Sequence, residues 1–183
     1  DHNTEQDWLK TNLARLTNLL QGQRDLTTVG RVVLTELTPL VGAHLGVIYQ
    51  RLADPAGRLE LLASFADDGQ SGHPDYVEPG AGLIGQCARD ARRMLITNVP
   101  DHAVRVGSGL FKATPRSIVV LPVLFEGQVK AVIELASLEA FSRSHLVFLD
   151  QLTAGIGIVL NSIEATMQTE GLLQQSQQLA SEL

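Results

Sequence analysis

RSIVVLPVLFEGQVKAVIELAS, residues 116–137, contains two apolar runs separated by Glu126-Gly127. A two-residue X-Gly connection between β-branched runs is typical of a tight β-hairpin. The first run, 118–125, is apolar almost without interruption, as expected of a strand that is covered on both faces. The stretch therefore predicts a long antiparallel hairpin inside a sheet that is covered by helices.

The segments on either side of this hairpin alternate between helical and strand patterns. Asp25 is an expected N-cap, because its carboxylate can accept from the first free backbone N–H groups of a helix. Residues 66–80 are rich in Gly, Pro and Asp, which predicts an exposed, mobile loop. The apolar content of 101–115 indicates a loop that folds back over the domain. The predicted helices are 4–22, 25–41, 83–89 and 142–183, and the further strands are 45–50, 59–64 and 94–97.

Length and composition favour one acidic domain with helical extensions. The chain has 183 residues and a net charge of −6, and its Lys and Arg residues are scattered, which argues against a nucleic-acid partner. Its one cysteine, Cys87, cannot form an internal disulfide, which fits a reducing compartment. No stretch is expected to span a membrane, and the start of the sequence lacks the basic residues of a signal peptide. We therefore expect a cytoplasmic protein without direct membrane contact.

The first and last predicted helices each carry a narrow apolar stripe. Spacings of three and four residues place such stripes along one side of a helix, and two narrow stripes favour pairing between helices. The last helix is far longer than an ordinary globular helix, which suggests a coiled coil or a connection between modules. We expect a parallel homodimer that forms a four-helix bundle through Leu9, Leu13, Leu16, Leu20, Leu152, Ile156, Val159 and Ile163.

Three stretches resemble the GAF domain family of small-molecule sensor modules. GAGLIGQCA, 80–88, is similar to the family's GEGLxGxxA helix; ITNVP, 96–100, is similar to its short strand and turn; and 117–137 is similar to its SxxxxPVxxxGxxxGVxxxxS hairpin. The flanking helices resemble those that follow HAMP repeats in bacterial hybrid sensor histidine kinases. Pro122 needs a structural explanation, because proline cannot donate within a ladder and requires a bulge or an unpaired edge.

The resemblance implies an α+β fold with a central antiparallel sheet of about five strands in the order 2-1-5-4-3. The terminal helices would pack on one face of this sheet, and a ligand cavity would lie on the other. The implied division is an N-terminal linker helix at 1–24, the GAF domain at 25–165 and a C-terminal linker helix at 166–183.

Most candidate ligand-binding residues come from the short helix and the segment that follows it, and Tyr76 comes from the loop that precedes the helix. Helical spacing places Leu83, Ile84 and Cys87 on one side. The arginines suit an anionic ligand. The full predicted set is Tyr76, Leu83, Ile84, Cys87, Arg105, Val106, Leu110, Phe111 and Arg116.

Several sharper interpretations are disfavoured by the residues. Cys87 lies in the wrong helix for bilin attachment and is expected to be a small buried hydrophobe. His73, which could contribute to a metal or haem site with His102 or His44, is expected to be an exposed loop residue. Ser108, between two glycines, lacks the setting of a catalytic nucleophile. No catalytic residue and no bilin, haem or metal is predicted.

Three functions stay open on the sequence alone. The first is a non-catalytic sensory module that binds a small ligand and signals to a kinase through its terminal helices. The second is a ligand-free dimerisation spacer whose own side chains fill the cavity. The third and weakest is a small enzyme of the methionine sulfoxide reductase branch, whose disulfide cycle needs more than one thiol. Cyclic-nucleotide binding lacks its NKFDE motif.

Overall fold

The computed structural model describes residues 2–67, 72–100, 106–107 and 112–182. Within these ranges an antiparallel sheet separates a layer of three helices from a layer formed by one short helix. The helices are α1 (His2–Leu20), α2 (Leu26–Leu40), α3 (Gly82–Asp90) and α4 (Arg143–Glu182). The strands are β1 (Leu45–Arg51), β2 (Leu59–Phe65), β3 (Tyr76–Val77), β4 (Met94–Ile96), β5 (Val106–Gly107), β6 (Lys112–Ala113), β7 (Ser117–Phe125) and β8 (Gln128–Ser137).

The main sheet has the order β3-β2-β1-β8-β7-β4. Without β3 this is the predicted order 2-1-5-4-3, so the expected fold is confirmed. The difference is one short edge strand, which forms where the sequence predicted only an exposed loop. Residues of β3 pair with Leu59 and Glu60 at the open edge of β2. A separate two-stranded ribbon joins β5 to β6.

The β7–β8 hairpin is the centre of the sheet, as predicted. Phe125 pairs with Gln128, so Glu126 and Gly127 form the two-residue turn. Both turn residues have positive φ, 50° and 79°, as a type I′ turn requires. Pro122 lies beyond the end of the β4 pairing, which stops at Val120, and just before a register shift between Val123 and Leu124. The strand therefore has only one paired edge at Pro122, which explains how β7 contains a proline.

Alternation along β8 separates two hydrophobic clusters. Ile133 and Leu135 point into the cluster that α1, α2 and α4 cover, whereas Val132 and Ala136 point into the cluster that α3 covers. Asp25 caps α2, since its carboxylate accepts from the Thr28 backbone N–H at 3.1 Å. The terminal helices α1 and α4 lie on the same face of the sheet, as the family resemblance implied.

The two apolar stripes that the sequence assigned to a dimer interface lie mostly inside the single chain. Leu16, Leu20, Leu152, Ile156 and Ile163 are 0–4 % exposed in the core between the sheet and the helices. The remaining three, Leu9, Leu13 and Val159, pack against the same core while keeping partial exposure. The sequence indicated a partner chain for these stripes, but α1 packs directly along α4 of the same chain and covers them there.

The helix α4 is unusual in its length and in its two environments. It has 40 residues, or about 60 Å at 1.5 Å per residue. Its first half supplies core residues, whereas residues 165–182 are all exposed. Contrary to the sequence expectation, α4 is apolar and long enough to cross a membrane by length and composition. Of its most apolar stretch of 18 residues, 44 % is buried inside the domain.

Candidate functional site

The layer around α3 is built on close backbone approaches that only glycine permits. A Cβ atom on Gly85 would collide with the carbonyl oxygen of Glu78 and lie 3.0 Å from the Gly80 backbone nitrogen. Gly80 and Gly82 have positive φ, 86° and 65°, which lets the chain turn into α3. These requirements give the glycine pattern of residues 80–85 a physical cause. This packing of α3 also places Ile84 and Cys87 against the sheet, where both side chains are buried.

A polar cluster interrupts the apolar face of the sheet on this side. Glu134 lies on β8 between Val132 and Ala136, and its Oε2 atom is 3.0 Å from Nε2 of His73. The two side chains are only 9 % and 8 % exposed. The Tyr49 hydroxyl donates to the Pro74 carbonyl oxygen at 2.6 Å. These three side chains hold the segment 73–75 across β1 and β8.

The electrostatic environment of this cluster is negative. Burial, together with the smaller effects of the charges on Glu134, Asp75 and Asp67, raises the pKa of Tyr49 to about 12. Three carboxylates therefore act on one buried phenol, while His73 is the basic side chain in direct contact with Glu134. A cluster of this kind favours a neutral or cationic group over an additional anion. Within the described ranges, no group of three His, Cys, Asp or Glu side chains is arranged to hold a metal ion.

His73 corrects one sequence prediction. It was expected to be a solvent-exposed loop residue, as lone histidines without ligand spacing usually are. The side chain is instead buried against Glu134, 61 positions along the chain. A long-range contact of this kind leaves no local pattern around the histidine. The available signal was Glu134 itself, which is the one charged residue in the buried run 131–136.

The predicted ligand-binding residues have three different environments. Ile84, Cys87 and Val106 are buried against the sheet, and Leu83 is partly buried beside them. Tyr76 is 50 % exposed at the sheet edge with its ring 5.0 Å from the Arg58 guanidinium, and Arg116 is exposed. Arg105, Leu110 and Phe111 lie outside the described residues. The structure brings the first four together; that any of the nine binds a ligand stays a prediction.

A large groove opens elsewhere, at the end of the sheet that carries the Glu126-Gly127 turn. It has a volume of about 730 Å³ and runs between the end of α3 and the point where α4 leaves the domain. Lys130 and Glu164 form an ion pair of 3.2 Å in its wall. The predicted cavity was placed between residues 66–80, 83–89 and 104–111, and of these ranges the groove includes Ala88 and Arg89 at the end of α3. None of the six predicted ligand-binding residues that the structure describes lines the groove.

Cys87 is a buried structural residue in this layer. Its side chain is 0 % exposed, and its thiol donates to the Arg92 carbonyl oxygen at 3.4 Å. Burial, with a smaller contribution from Asp90, raises the pKa of the thiol to about 12. Because the thiolate is the reactive form, this site suppresses thiol chemistry.

We expect Cys87 to be inert to a disulfide reagent in the native protein at pH 8 and to react once the protein is unfolded. The same shift has a consequence for stability. The folded pKa of about 12 lies above the ordinary value of 9.0. The contribution of the protonated Cys87 thiol to the free energy of unfolding is therefore fully present below pH 9 and is lost as the pH rises toward 12. Cys87→Ala should lose less stability than the wild type over that pH range, in denaturant titrations at several pH values. Rapid labelling of native protein at pH 8 would contradict this assignment.

Comparison with known proteins places this architecture in a family. A family model described as GAF domain matches residues 23–161. The search of curated proteins returned no significant match. Among solved structures, the GAF domain of an Acinetobacter phosphoenolpyruvate-protein phosphotransferase has a TM-score of 0.69 at 19 % identity, with 85 % of this chain and 93 % of that chain covered.

Two further solved structures show how varied the similar proteins are. The nlh2 GAF domain of A. aeolicus in an inactive state has a TM-score of 0.67 at 17 % identity and covers 86 % of this chain and 98 % of its own. The free methionine-R-sulfoxide reductase of Neisseria meningitidis, in complex with its substrate, has a TM-score of 0.68 at 15 % identity and covers 86 % and 91 %. At such identities the likeness concerns the fold alone.

Proposed function

Since this chain belongs to the GAF domain family, we propose that it is a non-catalytic sensory module that binds a small ligand at the Tyr49–His73–Glu134 cluster. The observation that supports this most is the buried Glu134 carboxylate on an otherwise apolar sheet face. A charge removed from water costs stability even when it is paired. Clusters in which a buried titratable group has a shifted pKa, as Tyr49 does here, are common at functional sites.

The route from this cluster to the rest of the protein runs through β8. Glu134 faces the proposed ligand site, and its neighbours Ile133 and Leu135 face the core that α4 helps to form. A ligand that engages Glu134 must displace or reorient His73, which moves the segment 73–75 relative to β8. A ligand shifts a conformational equilibrium only through differential affinity for two states, and this rearrangement provides such a difference. We propose that α4 carries the response out of the domain.

The cluster also indicates the ligand's charge. On the sequence alone, Arg105 and Arg116 were expected to suit an anionic ligand. Arg116 is exposed, and Arg105 lies outside the described residues. The carboxylates of Glu134, Asp75 and Asp67 instead favour a neutral molecule or one with a cationic nitrogen.

We propose further that the parent protein is a bacterial sensor kinase of the cytoplasm, on the resemblance of the flanking helices. Enzymatic activity of the reductase type is disfavoured for this chain, because Cys87 is its one cysteine and is buried. An assay on free methionine sulfoxide tests that point directly; turnover by the purified protein would contradict it. The ligand-free spacer is the remaining alternative.

Native mass spectrometry of freshly purified protein tests the proposed site. We expect a species heavier than the calculated mass by one small molecule. Glu134→Gln should lose that species, because the amide cannot supply the carboxylate charge. Glu126→Gln is the matched control, since it makes the same substitution at an exposed position of the same hairpin. An adduct that persists in Glu134→Gln would exclude this site, and protein without any adduct would favour the spacer.

A further inference from the structure

We propose that the large groove between α3 and α4 binds an organic anion that combines a carboxylate or phosphate group with an apolar body. The groove walls carry three basic side chains, Arg51, Arg89 and Lys130, against one acidic side chain, Glu164. This local excess of positive charge contrasts with the net charge of −6 of the chain. The groove lies apart from the ligand site proposed above, none of whose three side chains lines it. The inference therefore holds whether or not that cluster binds a ligand.

An irregularity in the β7–β8 ladder places Lys130 in the groove wall. The register passes from the Val123–Ala131 pair directly to the Leu124–Val129 pair, so Lys130 is the extra residue of a β-bulge. Bulges commonly redirect a side chain next to a functional site. The Lys130 side chain is only 19 % exposed, and its Nζ atom lies 3.2 Å from the carboxylate with which it pairs on α4. The hairpin therefore holds one cation at a defined place in the groove.

Two arginines supply the positive charge that this ion pair does not neutralise. Arg51 directly follows the last paired residue of β1 in the β1–β8 ladder, which places it beside Lys130 at the end of the sheet. It forms no ion pair with another described residue. Arg89, in the last turn of α3, contacts Asp90 through its Nε atom at 3.2 Å, and both side chains are exposed. Exposed pairs of this kind are weak, so both guanidinium groups are free to turn toward a ligand.

The rest of the groove lining favours a ligand with an apolar body. Leu26, Leu52, Val129 and Met167 form apolar parts of the wall, and three glutamine side chains lie among them. The volume of about 730 Å³ is that of a small-molecule site, whereas an inorganic ion would fill little of it. Arginine guanidinium groups match the oxygens of carboxylates and phosphates through paired N–H donors. Together these features indicate a ligand with one anionic group and one apolar portion.

Binding in the groove also bears on α4. Glu164 is the last residue of this helix before the stretch 165–182, which is exposed throughout. An anion that contacts Lys130 competes with the Glu164 carboxylate for the same ammonium group, so ligand binding and the ion pair oppose each other. The ligand therefore loosens a contact between β8 and α4 at the point where α4 leaves the domain. This competition also gives a sign: removing the Glu164 carboxylate should strengthen binding.

Fluorescence titration of the full chain with two dyes tests the site. Anilinonaphthalene sulfonate carries an anionic group, and phenylnaphthylamine has the same aromatic body without the sulfonate. We expect the sulfonate dye to bind about tenfold more tightly than the uncharged dye and to lose affinity as the salt concentration rises. The double variant Arg51→Gln, Arg89→Gln should raise the dissociation constant of the sulfonate dye by about tenfold or more, and leave that of the uncharged dye unchanged.

The matched control is the double variant Arg92→Gln, Arg143→Gln. It removes the same two charges at exposed positions outside the groove lining, and the affinity for the sulfonate dye should change by less than about twofold. Because all four arginines are exposed, folding should be preserved, and circular dichroism checks this. Equal affinity for the two dyes, or equal losses in the two double variants, would overturn the proposal.

Glu164→Gln tests the competition at Lys130. This variant should lower the dissociation constant of the sulfonate dye by about threefold, because an exposed or half-exposed ion pair no longer competes with the dye. Glu182→Gln is its control, since it removes the same charge from an exposed position at the far end of α4 and should leave the affinity unchanged. If Glu164→Gln weakens binding or leaves it unchanged, the placement of the anion at Lys130 is wrong.

Discussion

Replacing Gly157 with alanine is expected to destabilise the domain by about 3 kcal/mol or more, at the upper end of the range for overpacked sites. Gly157 lies where α4 crosses β7, and a Cβ atom there would collide with the carbonyl oxygen of Leu124 and lie 2.9 Å from its carbon. The obstruction is backbone, so no side-chain rotation can relieve it. The helix would have to move away from the sheet, and the core beneath it would loosen.

Gly155→Ala provides the control on the same turn of α4. A Cβ atom on Gly155 meets nothing within 4 Å. In an exposed or open helical position, alanine is favoured over glycine by up to about 1 kcal/mol. Denaturant titration should therefore give opposite signs for the two substitutions, two residues apart. Equal effects would show that α4 does not approach β7 as closely as described.

The second large effect is expected for Ile133→Asp, which should abolish the folded domain. Ile133 is 0 % exposed at the centre of β8. Loss of its side chain costs about 2–5 kcal/mol. The unpaired buried carboxylate adds several kcal/mol more. Together these approach or exceed the total stability of a typical domain, about 5–15 kcal/mol.

Two companion substitutions separate the destabilisation caused by a buried charge from that caused by lost apolar contacts or by an exposed carboxylate. Ile133→Val removes one methylene and should cost about 0.5–1.5 kcal/mol. Leu95→Asp introduces the same carboxylate on the edge strand β4, at a side chain that is 44 % exposed, and should cost about 1 kcal/mol or less. Circular dichroism and thermal melting distinguish these outcomes. Melting of Ile133→Asp at the wild-type temperature would mean that β8 does not lie in the interior.

Local patterns in the sequence were sufficient to predict most of the fold. The β7–β8 hairpin, the Asp25 cap and the helix α3 each depend on residues close together in the chain, and the structure confirms all three. The strand β3 was missed because two residues carry no periodicity. It forms because the open edge of β2 is available, which is a tertiary property.

The terminal helices show why an apolar stripe does not identify its partner. Leu16 and Ile156 have the spacing of a helix–helix seam, and they do lie between helices. Their partners belong to the same chain, which the pattern cannot reveal.

The candidate site was predicted least well. The contact between His73 and Glu134 joins segments far apart in the sequence. His73 lies in none of the three quoted motifs, and Glu134 occupies a variable position of the hairpin pattern at 117–137. Their pairing depends on the path of residues 72–75 across the sheet. A charged residue in a strand expected to be covered on both faces is the sequence signal that points to such a site.

A ligand at the Tyr49–His73–Glu134 cluster is proposed to act on α4. Amide hydrogen exchange tests this coupling most directly. A screen of small metabolites first identifies the compound that most raises the protein's melting temperature. Exchange rates are then compared with and without that compound. We predict slower exchange in residues 72–77 and in α3, together with altered exchange along residues 149–163 of α4. If no compound stabilises the protein, or if exchange changes near the cluster while α4 exchanges at its original rate, the sensory account is contradicted.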